Sequence, residues 1–212
     1  INICGSTVTA QTGAALKVLC LEAIRAGLAG LEFAGGIPGA LGGAVCMNAG
    51  AYGGEMKDYL TSVRVIGRGL EICEIPASEM DFSYRHSAVM EKEYIVLGAT
   101  FSLPFGDPRA GMEKMNELNA RRREKQPLTY PSAGSTFKRP QGNYAGTLIE
   151  SCGLKGFSIG GAQVSEKHAG FIINMGNAFS RDIYELILYV KEVVLKETGV
   201  VLEPEVKMLG EF

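Results

Sequence analysis

Tryptophan is absent from this chain of 212 residues, and histidine occurs only twice. Net charge is also small: 21 lysine and arginine residues stand against 23 aspartate and glutamate residues, which leaves a formal net charge of −2. A chain without excess positive charge has no overall field that attracts nucleic acid or anionic lipid. We therefore expect neither a nucleic-acid partner nor a membrane.

Long hydrophobic runs and closely spaced cysteine pairs are also missing. The least polar segment, residues 26–47, contains Glu32, Pro38 and seven glycines, whereas a membrane-spanning helix needs about 20 largely apolar residues. The five cysteines are odd in number and include no Cys-x-x-Cys pair, which indicates free thiols in a reducing compartment. With no signal peptide in view, we expect a cytoplasmic protein. Because the chain begins with Ile1 rather than methionine, we also expect that an N-terminal piece is missing.

Glycine is the residue present in excess. It accounts for 28 of the 212 residues, close to twice the usual share of ~7%, and eight glycines fall between Gly35 and Gly54. We expect this segment to form no regular element. It is neither a P-loop nor a Rossmann fingerprint, because neither spacing is present. Its backbone amides and missing side chains suit a pyrophosphate or the edge of a flat ring, and tight turns with close helix packing are the alternative.

Hydrophobic periodicity predicts an α+β fold in two parts. The division is expected near Gln126–Pro127, which separates a region 1–126 from a region 127–212. Ser180 is the expected N-cap of the last helix and Gly199 its end. The predicted helices are 12–26, 109–125, 144–152 and 181–198; the predicted strands are 62–66, 70–75, 94–103, 170–174 and 200–209; and the predicted loops are 104–108 and 127–142.

Basic side chains stand at two places where an anionic substrate could bind. Arg85 follows Tyr84 in the segment Phe82–Ser87, and a guanidinium group there could form a two-pronged pair with a carboxylate. The basic cluster Arg121–Lys125 could clamp a diphosphate. The alternatives are a surface or salt-bridging arginine and a basic helix end that complements the helix dipole.

A serine in a tight turn beside two cations marks the second half of the chain. In the segment Ala133–Pro140, Ser135 precedes Lys138 and Arg139. Neighbouring positive charge makes proton donation by a hydroxyl group easier. The alternative is a turn serine that hydrogen-bonds to its own backbone.

Taken in order, these motifs resemble the UDP-N-acetylenolpyruvoylglucosamine reductase family, which makes a peptidoglycan precursor. Gly36–Glu55 resembles the family's flavin-contacting segment, and Ala133–Pro140 matches its Ala-Gly-Ser-x-Phe-Lys-x-Pro motif. Tyr84–Ser87 resembles its Tyr-Arg-x-Ser motif, and Leu202–Lys207 its Leu-Glu-Pro-Glu-Val-Arg motif with lysine in the last place. The resemblance runs from the first residue to Gly210. It implies an α+β chain: part of a vanillyl-alcohol-oxidase-type FAD-binding domain, followed by a smaller α+β substrate-binding domain.

The resemblance also implies roles for individual residues. Ser135 would be the proton donor, and Arg85 with Glu205 would polarise the substrate carboxylate, so these three are the expected catalytic residues. The expected substrate-binding residues are Tyr84, Arg122, Lys125, Lys138, Arg139 and His168. The expected FAD-binding residues are Gly36, Ile37, Pro38, Gly39, Gly42, Gly43, Asn48, Ala49, Gly50, Ala51 and Gly53.

The implied reaction is the NADPH-driven, FAD-dependent reduction of UDP-N-acetylglucosamine enolpyruvate to UDP-N-acetylmuramate, by a monomer without a metal. The segment between Gly142 and Lys155 is compact and resembles the family branch without an extra tyrosine-bearing loop. The family's first flavin-binding lobe has no counterpart in this sequence, so the chain alone could be inactive. Two alternatives stay open: a non-catalytic nucleotide-sugar or flavin-binding module of this fold, and a flavoenzyme of this fold with another substrate.

Overall fold

Residues 1–211 are described by a computed structural model, in which the chain forms two compact units. The first unit comprises residues 1–122, and the second begins at Arg123. This division lies a few positions before the one expected from the sequence. Among the described residues, no helix combines the length and the apolar character needed to cross a bilayer.

The first unit is built on a five-stranded antiparallel sheet with helices packed on it. Its elements in chain order are β1 (Asn2–Cys4), β2 (Thr7–Gln11), α1 (Leu16–Arg25), a 3-10 helix (Glu32–Gly36), α2 (Leu41–Cys46), β3 (Gly50–Ala51), β4 (Gly54–Glu55), a 3-10 helix (Met56–Asp58), β5 (Leu60–Ile66), β6 (Ile72–Pro76), a 3-10 helix (Ala77–Glu79), α3 (Ala88–Glu91), β7 (Ile95–Ser102) and most of α4 (Pro108–Lys125). The last residues of α4, from Arg123, belong to the second unit. The large sheet has the order β1-β2-β7-β5-β6, and β3 and β4 form a separate small hairpin.

Strand β5 illustrates how the sequence specifies this sheet. Val63 and Val65 are fully buried at the spacing of two that places side chains on one face. Leu60 is also buried although it falls out of that period. The pairing with β7 shifts register between Leu60 and Ser62, and such a bulge moves a side chain to the other face of its strand.

Helix α1 covers the core with one apolar stripe. Its buried residues are Leu16, Leu19, Cys20, Ala23 and Ile24. Full burial of a leucine or isoleucine side chain contributes roughly 1.5–3 kcal/mol, so this stripe fixes the helix more firmly than propensity does. The helix begins later than predicted, because Ala15 has extended backbone and pairs with Ala40 in an isolated bridge.

The second unit is a four-stranded antiparallel sheet with two helices. The long helix α6 buries Leu186, Ile187, Val190 and Val194 against the sheet, and it ends at Gly199, which has the left-handed φ of +72°. The elements are β8 (Ser132–Ser135), α5 (Ala145–Ser151), β9 (Ser158–Ile159), β10 (Ala162–Val164), β11 (Phe171–Asn174) and α6 (Ser180–Thr198), with the strand order β8-β11-β10-β9.

Two segments that were expected to be irregular contain regular elements. The glycine-rich segment forms helix α2 and the β3-β4 hairpin. Buried Leu41, Ala44 and Val45 lie on one side of α2, and this packing outweighs the poor helix propensity of glycine. Residues 127–142 include strand β8, an edge strand paired with β11. A short edge strand carries little hydrophobic pattern, which is why the sequence did not reveal it.

Two expectations near the C-terminus are wrong. Residues 200–209 form no strand, and only Pro204 makes an isolated bridge, with Phe137, since proline lacks the N–H that a ladder needs. Ser180 is the first helical residue rather than the N-cap. The carboxylate of Asp182 instead accepts the N–H of Phe179 at 3.0 Å and that of Gly161 at 3.1 Å, and these bonds lower the pKa of Asp182.

Candidate functional site

Several glycines of the glycine-rich segment are closely packed against other parts of the protein. A Cβ added at Gly42 would lie 2.0 Å from the Thr12 hydroxyl oxygen. One added at Gly50 would lie 2.8 Å from the carbonyl oxygen of Gly54. At Gly36 the nearest atoms belong to side chains of α4, with Asn119 at 2.1 Å. Close packing, the alternative considered from the sequence, accounts for these three positions.

Other glycines in the same segment face open space. A Cβ added at Gly39, Gly43 or Gly53 would meet no atom within 4 Å. Gly43 is exposed on α2, and Gly53 has the left-handed φ of +89° at the tip of the β3-β4 hairpin. A flat ligand can therefore approach the backbone at these positions.

The first backbone amides of α2 are already engaged. The N–H of Leu41 donates to the carbonyl of Ala14 at 2.9 Å, and the N–H of Gly42 donates to that of Thr12 at 2.9 Å. These two groups cannot also bind a pyrophosphate. Of the two ligand types considered from the sequence, the edge of a flat ring fits this helix better.

Asn48 is a fully buried polar residue at the centre of the segment, with a left-handed φ of +40°. Its amide nitrogen donates to the Glu55 carboxylate and to the Ser83 carbonyl, each at 3.0 Å. Its amide oxygen accepts the N–H of Lys57 at 3.0 Å. The side chain thus binds protein atoms in all three directions, although the sequence analysis assigned it to the cofactor.

Arg85 occupies a strained position in a tight turn. Ser83 and His86 exchange backbone hydrogen bonds at 3.2 Å, so that Tyr84 and Arg85 form the tip of the turn. Arg85 has a φ of +56°, which is uncommon for a residue with a side chain. Its guanidinium group lies over the Tyr84 ring at 4.9 Å and donates to the Gly50 carbonyl at 3.2 Å.

Arg122 contributes a buried polar atom to the same unit. Its Nε has no hydrogen-bond partner, and its guanidinium carbon lies 5.7 Å from the centre of the Tyr52 ring. Partial burial lowers the pKa of Arg122, against the opposing influence of Tyr52. Lys125, the last residue of α4, is exposed.

The remaining expected FAD-binding residues lie in the same segment. Ile37, Ala49 and Ala51 are partly buried, and Pro38 is exposed. Ala49 is tied into the fold by its backbone, since its N–H donates to Ala44 at 2.8 Å and its carbonyl accepts from Met56 at 3.0 Å.

In the second unit, backbone hydrogen bonds bring Ser135 and Glu205 to neighbouring positions. Ser135 ends strand β8 and is exposed, and its hydroxyl donates only a long bond of 3.3 Å to the Phe137 carbonyl. The N–H of Glu205 donates to the carbonyl of Thr136 at 2.8 Å. Two motifs that are far apart in the sequence therefore meet at the edge of β8.

His168 borders the same place. A Cβ added at Gly170 would lie 3.1 Å from His168 Nδ1 and 3.7 Å from Ser135 Oγ, so both side chains flank this glycine. His168 Nδ1 accepts the Gly170 N–H at 3.1 Å, which leaves the proton of the neutral ring on Nε2. Burial lowers the pKa of His168, so the ring is neutral at pH 7.

The two cations next to Ser135 make other contacts. Lys138 pairs with the Glu203 carboxylate at 2.5 Å, and Arg139 stacks over the Tyr144 ring at 4.0 Å. The positive field that the sequence analysis invoked for Ser135 is therefore shared with a carboxylate in the case of Lys138.

One group among residues 1–211 has the composition of a metal site: Asp81, His86 and Glu91. The His86 Nε2 atom lies 3.3 Å from Asp81 and 3.7 Å from Glu91. Both carboxylates are more than two-thirds exposed, at 76% and 68%. A hydrogen bond between the His86 ring and the Asp81 carboxylate accounts for this geometry without a metal.

Three buried polar residues near the candidate residues were missed from the sequence: Ser87, Thr136 and Ser165. Ser87 donates to the Cys46 carbonyl at 2.7 Å, Thr136 accepts the Ile172 N–H at 3.1 Å, and Ser165 accepts the His168 N–H at 3.3 Å. Each is adjacent or close in sequence to a candidate residue. Proximity to a motif was the one available signal.

Comparison with protein families gives two consecutive matches. Residues 1–72 match the model of an FAD binding domain. Residues 126–209 match the C-terminal domain of UDP-N-acetylenolpyruvoylglucosamine reductase. The first match contains the glycine-rich segment, and the second contains Ser135, His168 and Glu205.

Curated proteins named UDP-N-acetylenolpyruvoylglucosamine reductase are similar over nearly the whole chain. The protein from Caldanaerobacter subterraneus is 56% identical over 98% of this chain and 68% of its own length. The one from Agathobacter rectalis is 56% identical over 97% of this chain and 65% of its own length. The chain thus spans about two thirds of the length of these relatives.

A solved structure supports the same grouping. The crystal structure of UDP-N-acetylenolpyruvylglucosamine reductase from Thermus caldophilus superimposes with a TM-score of 0.84 at 37% identity. The match covers 94% of this chain and 71% of that one.

Proposed function

The chain belongs to the UDP-N-acetylenolpyruvoylglucosamine reductase family, and we propose that it carries out the reductase reaction of that family. The substrate is UDP-N-acetylglucosamine enolpyruvate, the product is UDP-N-acetylmuramate, and FAD and NADPH are the redox cofactors. The whole reaction is a proposal for this chain because the relatives are longer than it is.

The observation that carries the proposal is the contact between two distant motifs. The Glu205 N–H donates to the Thr136 carbonyl, which places the carboxyl-bearing residue beside the residue that follows Ser135. A hydroxyl proton donor and a second acid at one sheet edge suit a reaction that adds a proton to carbon next to a carboxylate.

The residues of the first unit fit FAD. Gly39, Gly43 and Gly53 leave their backbone open to a flat ring. These glycines, with neighbours in the glycine-rich segment, would hold the cofactor. Arg122, whose buried Nε is a donor without a partner, would contribute to substrate binding. When bound, FAD supplies transfer of a hydride from NADPH to the terminal vinyl carbon of the substrate.

The protein's own residues handle the charge and the proton. As the terminal carbon gains a hydride, negative charge develops on the neighbouring carbon and its carboxylate. Arg85 would pair with that carboxylate, and this interaction strengthens as the charge develops, which lowers the barrier rather than only binding substrate. Its preset turn holds the guanidinium group before substrate arrives.

Ser135 would complete the reduction. Its Oγ–H donates a proton to the carbon that bears the carboxylate, and the substrate double bond becomes a single bond with one hydride and one proton added. Glu205 would assist as a hydrogen-bond donor to the substrate carboxylate. His168, with its Nε2 proton, borders Ser135 and would contact substrate.

The proposal also covers the electron source, the oligomeric state, the compartment and further substrate-binding residues. It includes NADPH as the electron source, a monomer, and the cytoplasm, where the five free thiols would stay reduced. Tyr84, Lys125, Lys138 and Arg139 would contribute to substrate binding. Through the cell-wall precursor, the activity would contribute to cell shape and division.

The test is NADPH oxidation by the flavin-loaded protein, with and without the enolpyruvyl substrate. The proposal predicts oxidation that depends on substrate and yields the lactyl ether product in equal amount. A matched Thr61→Ala variant, which loses a hydroxyl bond to Thr100 outside the site, should retain this activity. A protein that binds FAD and the nucleotide sugar but oxidises no NADPH would contradict the proposal and favour a binding module.

A further inference from the structure

Three hydrogen bonds connect the turn that carries Arg85 to the glycine-rich segment. The Asn48 amide donates to the Ser83 carbonyl before the tip of the turn. The Ser87 hydroxyl donates to the Cys46 carbonyl after it, at 2.7 Å. At the tip, the Arg85 guanidinium group donates to Gly50. In the glycine-rich segment, the partners in these three hydrogen bonds all lie within residues 46–50.

Two of these hydrogen bonds are made by fully buried side chains. Asn48 and Ser87 are both 0% exposed. A buried amide or hydroxyl group is costly to leave without partners, so both side chains are confined to these bonds. Asn48 also uses its second amide proton on Glu55 and its oxygen on the Lys57 N–H, so both of its amide protons bond within the protein.

The turn requires such fastening because its backbone is strained. Arg85 has a φ of +56°, and Asp81, at the start of the same loop, has a φ of +45°. A residue with a side chain occupies this region only when its surroundings impose it, at a cost of order 1–3 kcal/mol. Within the turn itself, the two 3.2 Å bonds between Ser83 and His86 and the stacking of Arg85 over Tyr84 oppose the strain.

We propose that Asn48 and Ser87 are positioning residues that hold the strained Arg85 turn against the glycine-rich segment. They act through Arg85 and touch no substrate atom. The inference rests on the proposed role of Arg85 in the reductase reaction, and it adds a function to two residues that serve neither cofactor nor substrate directly.

These hydrogen bonds also connect the proposed substrate-binding turn of the first unit to its FAD-binding segment. The residues that receive the turn, 46–50, belong to the segment that matches the FAD binding domain. A change that releases the turn would shift Arg85 relative to that segment. Misplacement of a catalytic group by about 1 Å can reduce a rate on the order of 10²-fold.

The first test needs only the folded chain. Ser87→Ala removes the hydrogen bond to Cys46 without adding volume. Asn48→Asp keeps the shape of the side chain but replaces the NH2 group that donates to the Ser83 carbonyl with an oxygen. Hydrogen exchange of the amides of His86 and Ala88, which bond within this loop, should become roughly 10-fold faster in both variants. Thr61→Ala should leave these amides unchanged. Unchanged exchange in both turn variants would overturn the proposal.

The second test separates positioning from general destabilisation. In the flavin-loaded protein, Ser87→Ala should lower kcat with the enolpyruvyl substrate about 10-fold, while reduction of FAD by NADPH stays within ~2-fold. Ser87→Thr, which keeps the hydroxyl group, should recover part of the loss. An equal loss in both half-reactions would indicate a structural role and contradict the proposal.

A double-mutant cycle distinguishes failure of this inference from failure of the proposed function. Arg85→Ala alone should abolish most of the substrate-dependent rate, and adding Ser87→Ala to it should change little further. If Arg85→Ala has no effect, the proposed function fails. If Arg85→Ala is strongly impaired and Ser87→Ala still lowers the remaining rate by the same factor as in the wild type, the positioning role fails.

Discussion

The glycine-rich segment of the first unit and the β8 edge of the second unit prepare chemistry in different ways. In the first, buried polar side chains and packed glycines fix the backbone, and open glycines leave room beside it. In the second, backbone bonds place Ser135 and Glu205 at neighbouring positions, where Ser135 is exposed and Glu205 is partly buried. In our proposal, the first region receives a rigid ring, and the second presents groups that engage a flexible substrate.

The largest effect is expected at the second region. Ser135→Ala should lower product formation by about 10²–10⁴-fold, since one general acid is lost. Reduction of FAD by NADPH should continue, because it needs no proton from Ser135. Stopped-flow absorbance of the flavin and assay of the product measure the two half-reactions separately. Equal losses in both would remove Ser135 from the role of proton donor.

Two variants of Glu205 separate loss of the side chain from loss of its hydrogen bond in the second region. Glu205→Ala should lower kcat by roughly 10–100-fold, because a hydrogen bond that strengthens with developing charge is lost. Glu205→Gln keeps a donor at the same place and should recover most of the rate. Steady-state kinetics of both variants at saturating NADPH measure the difference. If glutamine is as harmful as alanine, the role of hydrogen-bond donor is wrong.

Gly50→Ala should break the first region by packing alone. The added Cβ would lie 2.8 Å from the Gly54 carbonyl oxygen, and overpacking of this kind costs about 1–3 kcal/mol. Urea denaturation followed by circular dichroism measures the loss in the free energy of unfolding. A variant as stable as the wild type would show that this hairpin tolerates the extra atom, and that its glycine serves another purpose.

A smaller, pH-dependent effect is expected at His168. Burial lowers the pKa of its ring in the folded state, so the unfolded chain binds a proton more readily. The contribution of the neutral ring to stability is complete above the ordinary pKa of about 6.5 and is lost as pH falls below that value toward the lowered pKa. Thermal unfolding at pH 7.5 and 5.5 should show a larger loss in wild type than in His168→Asn. Equal losses would contradict the assignment.

Much of the fold followed from the sequence because apolar spacing marked it directly. Helices α1 and α6 lie close to their predicted ranges, and α6 ends at Gly199. The family and its FAD-binding domain, expected from motif order, are confirmed by the comparisons. What could not be predicted depends on tertiary contacts: α2 exists because Leu41 and Val45 find a core.

The candidate residues show the same limit. Motifs identified Ser135 and Glu205, but their adjacency depends on a hydrogen bond between segments far apart in the sequence. The family resemblance implied a cofactor contact for Asn48, and its side-chain amide bonds to protein atoms in all three directions. Sequence spacing indicates which residues carry chemistry. It does not indicate which of them use their polar groups in hydrogen bonds that position other residues.

The most direct test of the account is the affinity of the Gly43→Ala variant for FAD. Gly43 lies on α2 with no atom within 4 Å of an added Cβ, and alanine favours a helix by about 1 kcal/mol over glycine. The variant should therefore unfold at the same temperature as the wild type or higher, yet bind FAD at least 10-fold more weakly in a fluorescence titration. A stable variant that binds FAD with unchanged affinity would contradict the claim that the open glycines face the flavin.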